Sequence, residues 1–194
     1  MGTGLRAEKP RVVVVDDEKK VADAYALRLQ DVAAVSVAYD GREALDLITE
    51  GRPPDVVLLD RHMPGLSGDD VLEKIREQGI RTQVVMVTAI DPDLGVVDLP
   101  FDDYLSKPVD REDLYAAIDQ QCQVLAYDLL GEYFRLESTR AVIETQLPED
   151  TDDADDQVAE IETRLATTEA RVRDLLPDAD TLLDEFTGID REPY

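Results

Sequence analysis

Four apolar runs of this 194-residue chain end in residues that a buried strand would not otherwise choose. Residues 12–15 lead into Asp16-Asp17, residues 56–59 into Asp60, residues 84–87 into Thr88, and the run around Tyr104 into Lys107. If the runs are parallel strands of one sheet, all these groups share an edge, and open α/β sheets bind their ligands outside the carboxyl ends of the strands. Three carboxylates in one pocket repel each other, since two unit charges about 4 Å apart interact by roughly 4 kcal/mol at an effective dielectric of 20. Lys107 offers one compensating charge. A hard divalent ion with oxygen ligands offers two, and Mg2+ suits a site with a few carboxylates, several waters and room for a phosphoryl oxygen. Such a pocket is built to receive the reactive centre of an anion.

The elements that must position these groups follow from the hydrophobic pattern. Short runs rich in β-branched residues occupy 11–15, 35–38, 56–59, 83–87 and 103–105, and between them lie stretches with helical spacing such as Val21, Tyr25, Leu29 and Val71, Leu72, Ile75. Strands alternating with helices predict a parallel sheet covered on both faces, and the uniform apolarity of VVVV, VVLL and VVMV fits strands buried on both sides. Loops are expected at Gly41, Pro53-Pro54, Pro64-Gly65 and Pro108.

After Pro108 the chain changes character. From Arg111 to about Gln146 no proline intervenes, and apolar residues recur every three or four positions from Leu114 to Leu147, broken once at Arg140. The spacing predicts one long amphipathic helix or two nearly in line. The acidic segment 148–156 reads as a solvated linker; it lacks the spacing and the glycine of a calcium loop. A second helical pattern runs through Val158, Ile161, Leu165, Val172 and Leu175 and stops before Pro177, and a third short segment at 181–186 is placed to cap it. Two apolar stripes joined by a polar loop predict a helical hairpin or antiparallel coiled coil.

Asp16-Asp17, Asp60 in LLDRHMPGLSG, Thr88 and Lys107-Pro108 together resemble the receiver domain of two-component response regulators. The resemblance implies a flavodoxin-like five-stranded parallel sheet of order 2-1-3-4-5 over residues 10–121, with Asp60 the phosphoacceptor for the phosphohistidine of a sensor histidine kinase. It implies that Asp17, Asp60, the backbone carbonyl of His62 and, through water, Asp16 hold Mg2+. Lys107 and Thr88 would then contact the phosphoryl group, and Tyr104 would be the aromatic that turns inward when the Thr88 loop is drawn in. The output would be a changed surface around the helix before the fifth strand, that strand and the helix after it. Between Thr88 and Lys107 the segment is shorter than in most receivers and carries Pro92 and Pro100, so that helix is expected to be short or frayed. The tail, with YDLLGEYFRLESTRAVIE, resembles the HalX domain, which places a helical module at 122–194, its long helix continuous or nearly so with the last receiver helix.

Composition narrows the partners. The chain holds 29 Asp and 16 Glu against 15 Arg and 5 Lys, a net charge of −25, a balance similar to that of halophile cytosolic proteins. Phosphate backbones and anionic lipids are poor partners for such a surface. The tail carries six basic and 20 acidic residues, a net charge of −14, which disfavours direct DNA binding; a homodimer through its helices, or another regulatory protein, is the better expectation. A single cysteine, Cys122, excludes an internal disulfide, and its place on an apolar stripe makes it a core residue. The apolar runs are too short to cross a bilayer and no signal-peptide pattern opens the chain, so a cytoplasmic protein is expected. The chain reads as a signalling switch rather than an enzyme. The alternative, an aspartyl-phosphate phosphatase of the haloacid-dehalogenase type, would place a DxD where this chain has adjacent aspartates.

Overall fold

The computed structural model describes residues 8–89, 99–146 and 152–187. The chain divides into two compact units, Lys9–Cys122 and the residues from Gln123 onward. In the first, β1 (Arg11–Val15), α1 (Lys19–Leu29), β2 (Ala34–Ala38), α2 (Gly41–Thr49), β3 (Val56–Leu59), α3 (Gly68–Glu77), β4 (Gln83–Thr88) and β5 (Asp103–Ser106) alternate as the hydrophobic pattern requires. The five strands form one parallel sheet of order β2-β1-β3-β4-β5. The chain reverses its winding direction after β2, and the ends of β1 and β3 therefore lie side by side, Val15 opposite Leu59.

β1, β3 and β4 carry almost no polar residue because both faces of the sheet are covered. Val13, Val15, Val57, Leu59, Val84 and Met86 pack with Ala44 and Ile48 of α2 and Val71, Leu72 and Ile75 of α3. The alternating set, Val12, Val14, Leu58 and Val85, is equally buried and by the two-residue period of a strand faces the other way. There α1 meets the start of α4 (Arg111–Gln146): the Tyr115 hydroxyl donates to the Arg28 carbonyl, and Arg28 donates to the Val109 carbonyl. Arg76, at the end of α3, donates to the carbonyls of Pro100 and Thr82 and pairs with Asp102, fixing the entry to both β4 and β5.

The helix starts are encoded locally. Asp40 caps α2 by accepting from the backbone of Arg42 and Glu43, and Ser67 and Asp70 form a reciprocal capping box on α3. Gly41, expected in a loop, instead opens α2 behind the Asp40 cap, and the position is confined to glycine because a Cβ there would collide with the Leu66 carbonyl and the Val71 side chain. The helix expected between β4 and β5 falls on residues 90–98, outside the described residues.

The stripe predicted from Arg111 to Gln146 is one uninterrupted helix, α4, and α5 (Asp152–Leu175) and α6 (Ala179–Thr187) of the second unit follow. α5 begins inside the acidic segment read as a linker. Residues 152–156 of that segment form the first turns of α5. Residues 147–151 lie outside the described set. Leu129, Tyr133 and Leu136 of α4 and Ile161, Leu165 and Val172 of α5 are buried, and Arg164 reaches Glu132 at 2.9 Å. Cys122 is fully buried. Among the described residues no helix is long and apolar enough to cross a membrane.

Candidate functional site

The backbone ladder of the sheet extends one residue past each strand end and thereby aims the polar groups. The Asp16 N–H donates to the Ala38 carbonyl at 3.2 Å, and the Asp60 N–H donates to the Val15 carbonyl at 2.9 Å. The Lys107 N–H donates to the Thr88 carbonyl at 2.8 Å. Strand pairing thus places Asp16, Asp60, Thr88 and Lys107 on one rim, because each is the first or last residue that the ladder can hold.

Lys107 lies between two carboxylates: its Nζ is 2.7 Å from Asp16 Oδ2 and 3.2 Å from Asp60 Oδ2. The second oxygen of Asp16 accepts from the Glu18 backbone N–H at 2.9 Å, which fixes the plane of the carboxylate and starts the turn into α1. Asp16 and Asp60 keep only 2% and 7% of their surfaces exposed. Burial pushes the Asp60 carboxyl above the usual carboxylate range, and Asp16 adds to the rise, while Lys107 and the His62 backbone N–H act against it. For Lys107 burial works to lower the value, but Asp16 and Asp60 outweigh it and the ammonium is held more firmly than usual. The pocket is therefore tuned to keep its lysine charged while its central carboxylate is short of positive charge.

The donor set fits a hard divalent ion. One carboxylate oxygen each from Asp16, Asp17 and Asp60 can be chosen so that all lie within 4.8 Å of one another. Oxygens sharing an octahedral ion at about 2.0–2.1 Å are at most about 4.2 Å apart, so small side-chain adjustments suffice. Asp17 is only half-buried, which leaves the pocket open to solvent and to an incoming anion.

The other expected residues are placed as follows. Thr88 is the buried last residue of β4. Tyr104 sits on β5 opposite Met86, its ring half-buried against the core and 6.2 Å from that of Phe101. The His62 side chain is exposed, and its backbone N–H faces the Asp60 carboxylate.

Two residues that position the site went unread in the sequence. Gly68, the first residue of α3, packs against the backbone of Asp60 and Arg61, donating to the Arg61 carbonyl at 2.9 Å. A Cβ at Gly68 would overlap the Asp60 carbonyl oxygen and approach Arg61 Cα to 2.8 Å. The signal was the Ser-Gly pair at a helix start, which also has the ordinary meaning of a cap. Replacing Gly68 with Ala is expected to lower stability by about 1–3 kcal/mol, as overpacking does, and to slow any chemistry at Asp60 beyond that loss. Denaturant midpoints and labelling by a small phosphodonor check both. The other is Arg28, whose guanidinium donates to the Val109 carbonyl at 2.7 Å and so braces the loop just after Lys107. Eighty-one positions separate the two residues, and no local pattern announces the contact.

Residues 12–119 match the response regulator receiver domain. The chain belongs to that family. Behind its receiver domain, residues 123–189 match the HalX domain. Over 143 residues the chain is 42% identical to a protein of Haloferax volcanii named "Putative transcriptional regulator", covering 73% of this chain and 24% of that relative. The chain thus spans about a quarter of the length of that relative. The receiver domain of Francisella response regulator 1452 superposes with a TM-score of 0.55 at 33% identity, over 58% of this chain and 96% of that one. The response regulator TrrA of Thermotoga maritima, solved in complex with Mg2+ and BeF, gives 0.52 at 29% identity, over 58% of this chain and 98% of that one. These likenesses support a receiver with a helical HalX extension. None of them favours the phosphatase alternative.

Proposed function

We propose that this response regulator is a phosphorylation-controlled switch in which residues 10–121 receive the signal and residues 122–194 deliver it. Asp60 is the acceptor. Its carboxylate oxygen attacks the phosphorus of a sensor kinase phosphohistidine in line, an O–P bond forms as the P–N bond breaks, and the imidazole leaves with the electron pair. The single observation that carries this reading is the placing of Lys107 Nζ between Asp16 and Asp60, with Asp17 joining them in one carboxylate cluster.

Asp17, Asp60, the His62 carbonyl and, through water, Asp16 would hold Mg2+, which supplies positive charge to the transferring oxygens. Lys107 supplies the rest, already oriented by Asp16. Once the acyl phosphate has formed, the Thr88 hydroxyl hydrogen-bonds a phosphoryl oxygen, and Tyr104, on the neighbouring strand, follows the inward movement of the β4 end. Moving such a two-state element from 1:99 to 99:1 takes about 5.5 kcal/mol of differential stabilisation, within reach of a new dianion contacting two cationic centres and a hydroxyl. The chain therefore acts in the cytoplasm as a signalling component without turnover of a small-molecule substrate. The name of the Haloferax volcanii relative fits an output in transcription, but the −14 charge of the tail favours delivery through protein contact over direct DNA contact.

Asp17→Ala tests the metal assignment. It is expected to weaken Mg2+ binding at least about tenfold, the scale on which disturbed ligand shells act, with little loss of stability because Asp17 is partly solvated. A Mg2+ titration of the two proteins measures this. Equal affinities would refute the donor set.

A further inference from the structure

The face of α4 turned away from α5 is a second helix surface with its own chemistry. Val124 and Tyr127 are 42% and 55% exposed, and they share one stripe with Asp128, Gly131 and Arg135, all three exposed. Helical geometry sets these positions within about 60° of Gly131, while Leu129, Tyr133 and Leu136 lie on the buried side. Gly131 stands mid-helix, where glycine is the poorest former after proline. Among the described residues nothing in the packing requires it, since a Cβ at Gly131 would meet no atom of them within 4 Å. A bare backbone at the centre of an exposed stripe suits close approach from outside.

We propose that α4 pairs with α4 of a second copy of this chain, antiparallel, crossing at Gly131. This deepens the proposed output role of residues 122–194 and rests on it. The charge pattern selects both partner and direction. Asp128 and Arg135 flank Gly131 at three positions before and four after. A two-fold axis through Gly131 lays Arg135 of each copy beside Tyr127 and Asp128 of the other, giving a cation–π contact and an ion pair twice over. A parallel pairing would instead set Arg135 against Arg135 and Asp128 against Asp128. On this stripe the face is complementary to itself in one orientation only, so a second copy is the occupant that satisfies it.

The test uses the full chain in sedimentation velocity. Arg135→Asp alone and Asp128→Arg alone each place like charges across the axis and are expected to raise the dissociation constant at least about tenfold, while the double variant Asp128→Arg/Arg135→Asp restores association. Disulfide trapping fixes the direction. Gly131→Cys, for which the fold has room, links to itself; Val124→Cys links to Ser138→Cys in a mixture and not to itself. Cys122 is fully buried and stays out of the reaction. A monomeric wild-type chain, single reversals without effect, or self-linked Val124→Cys overturns the proposal. Phosphoryl labelling at Asp60, followed on the same samples, is independent of this outcome and separates its failure from failure of the switch reading.

Discussion

Replacing Asp60 with Asn abolishes phosphoryl labelling and, at neutral pH, makes the fold more stable. The first half follows from the acceptor role: an amide has no anionic oxygen to attack phosphorus, and neither Asp16, held by Lys107 and the Glu18 N–H, nor half-exposed Asp17 occupies its position at the end of β3. The second half follows from the electrostatics. Burial raises the Asp60 carboxyl above its ordinary range, with Asp16 adding to the effect and Lys107 only partly offsetting it. A group whose folded-state value lies above its unfolded value binds more protons folded than unfolded, so its contribution to stability falls as pH rises through that window. At neutral pH the charged Asp60 is therefore a net cost, which Asn removes while keeping the shape. The gain is expected to be roughly 1 kcal/mol, an ordinary single-site effect of unusual sign. Denaturant midpoints from pH 7 down through the carboxylate range check it: the gap between variant and wild type closes as pH falls and wild-type Asp60 takes up its proton. Saturating Mg2+ at neutral pH closes the same gap from the wild-type side. A destabilised variant would mean that Lys107 more than compensates Asp60 and that the pocket stores no repulsion.

The same physics explains how much of this site can be read without coordinates. The strand cores are legible because burial on both faces leaves no freedom of residue type: Val12 to Val15 admit nothing polar. The ends are legible for the complementary reason, since Asp16, Asp60 and Thr88 are buried polar residues that only a shared site excuses. Asp16 could be joined to Lys107 before any distance was known because parallel strands put like ends on one rim. Gly68 and Arg28 were opaque because their roles are relations between distant backbones: Gly68 is required by the Asp60 carbonyl, Arg28 by the Val109 carbonyl. The Ser67-Gly68 pair reads equally well as an ordinary helix cap, and nothing beside Arg28 in the sequence points to Val109. The acidic stretch in which α5 begins misled for a different reason. Asp is a poor residue inside a helix and a good one in its first turn, so a run of Asp reads as a linker until the helix behind it is known to begin there.

Lys107→Met carries the largest expected loss of stability, about 2–4 kcal/mol, somewhat below a fully dry ion pair because the pocket mouth is wet. Methionine keeps an unbranched apolar stem of similar length, so the loss reports charge. Without the ammonium, Asp16 pairs with no other cation among the described residues and faces an Asp60 carboxylate that, like its own, is almost fully buried. Because the Lys107 value is raised by its two carboxylates, the stabilisation it gives is fully present below the usual lysine range and disappears only as pH climbs through the higher folded-state value. The difference between wild type and Lys107→Met should thus stay flat from pH 7 to about 10 and shrink above that. Two further measurements identify the cause. Mg2+ restores part of the lost stability, since a divalent ion neutralises the same carboxylates. Asp60→Asn added to Lys107→Met restores more than it gives in the wild-type background, because the repulsion it removes is no longer offset. Simple additivity of the two substitutions would show that Lys107 and Asp60 do not share a field, and a lysine that does not share that field could not steady a phosphoryl group on the aspartate.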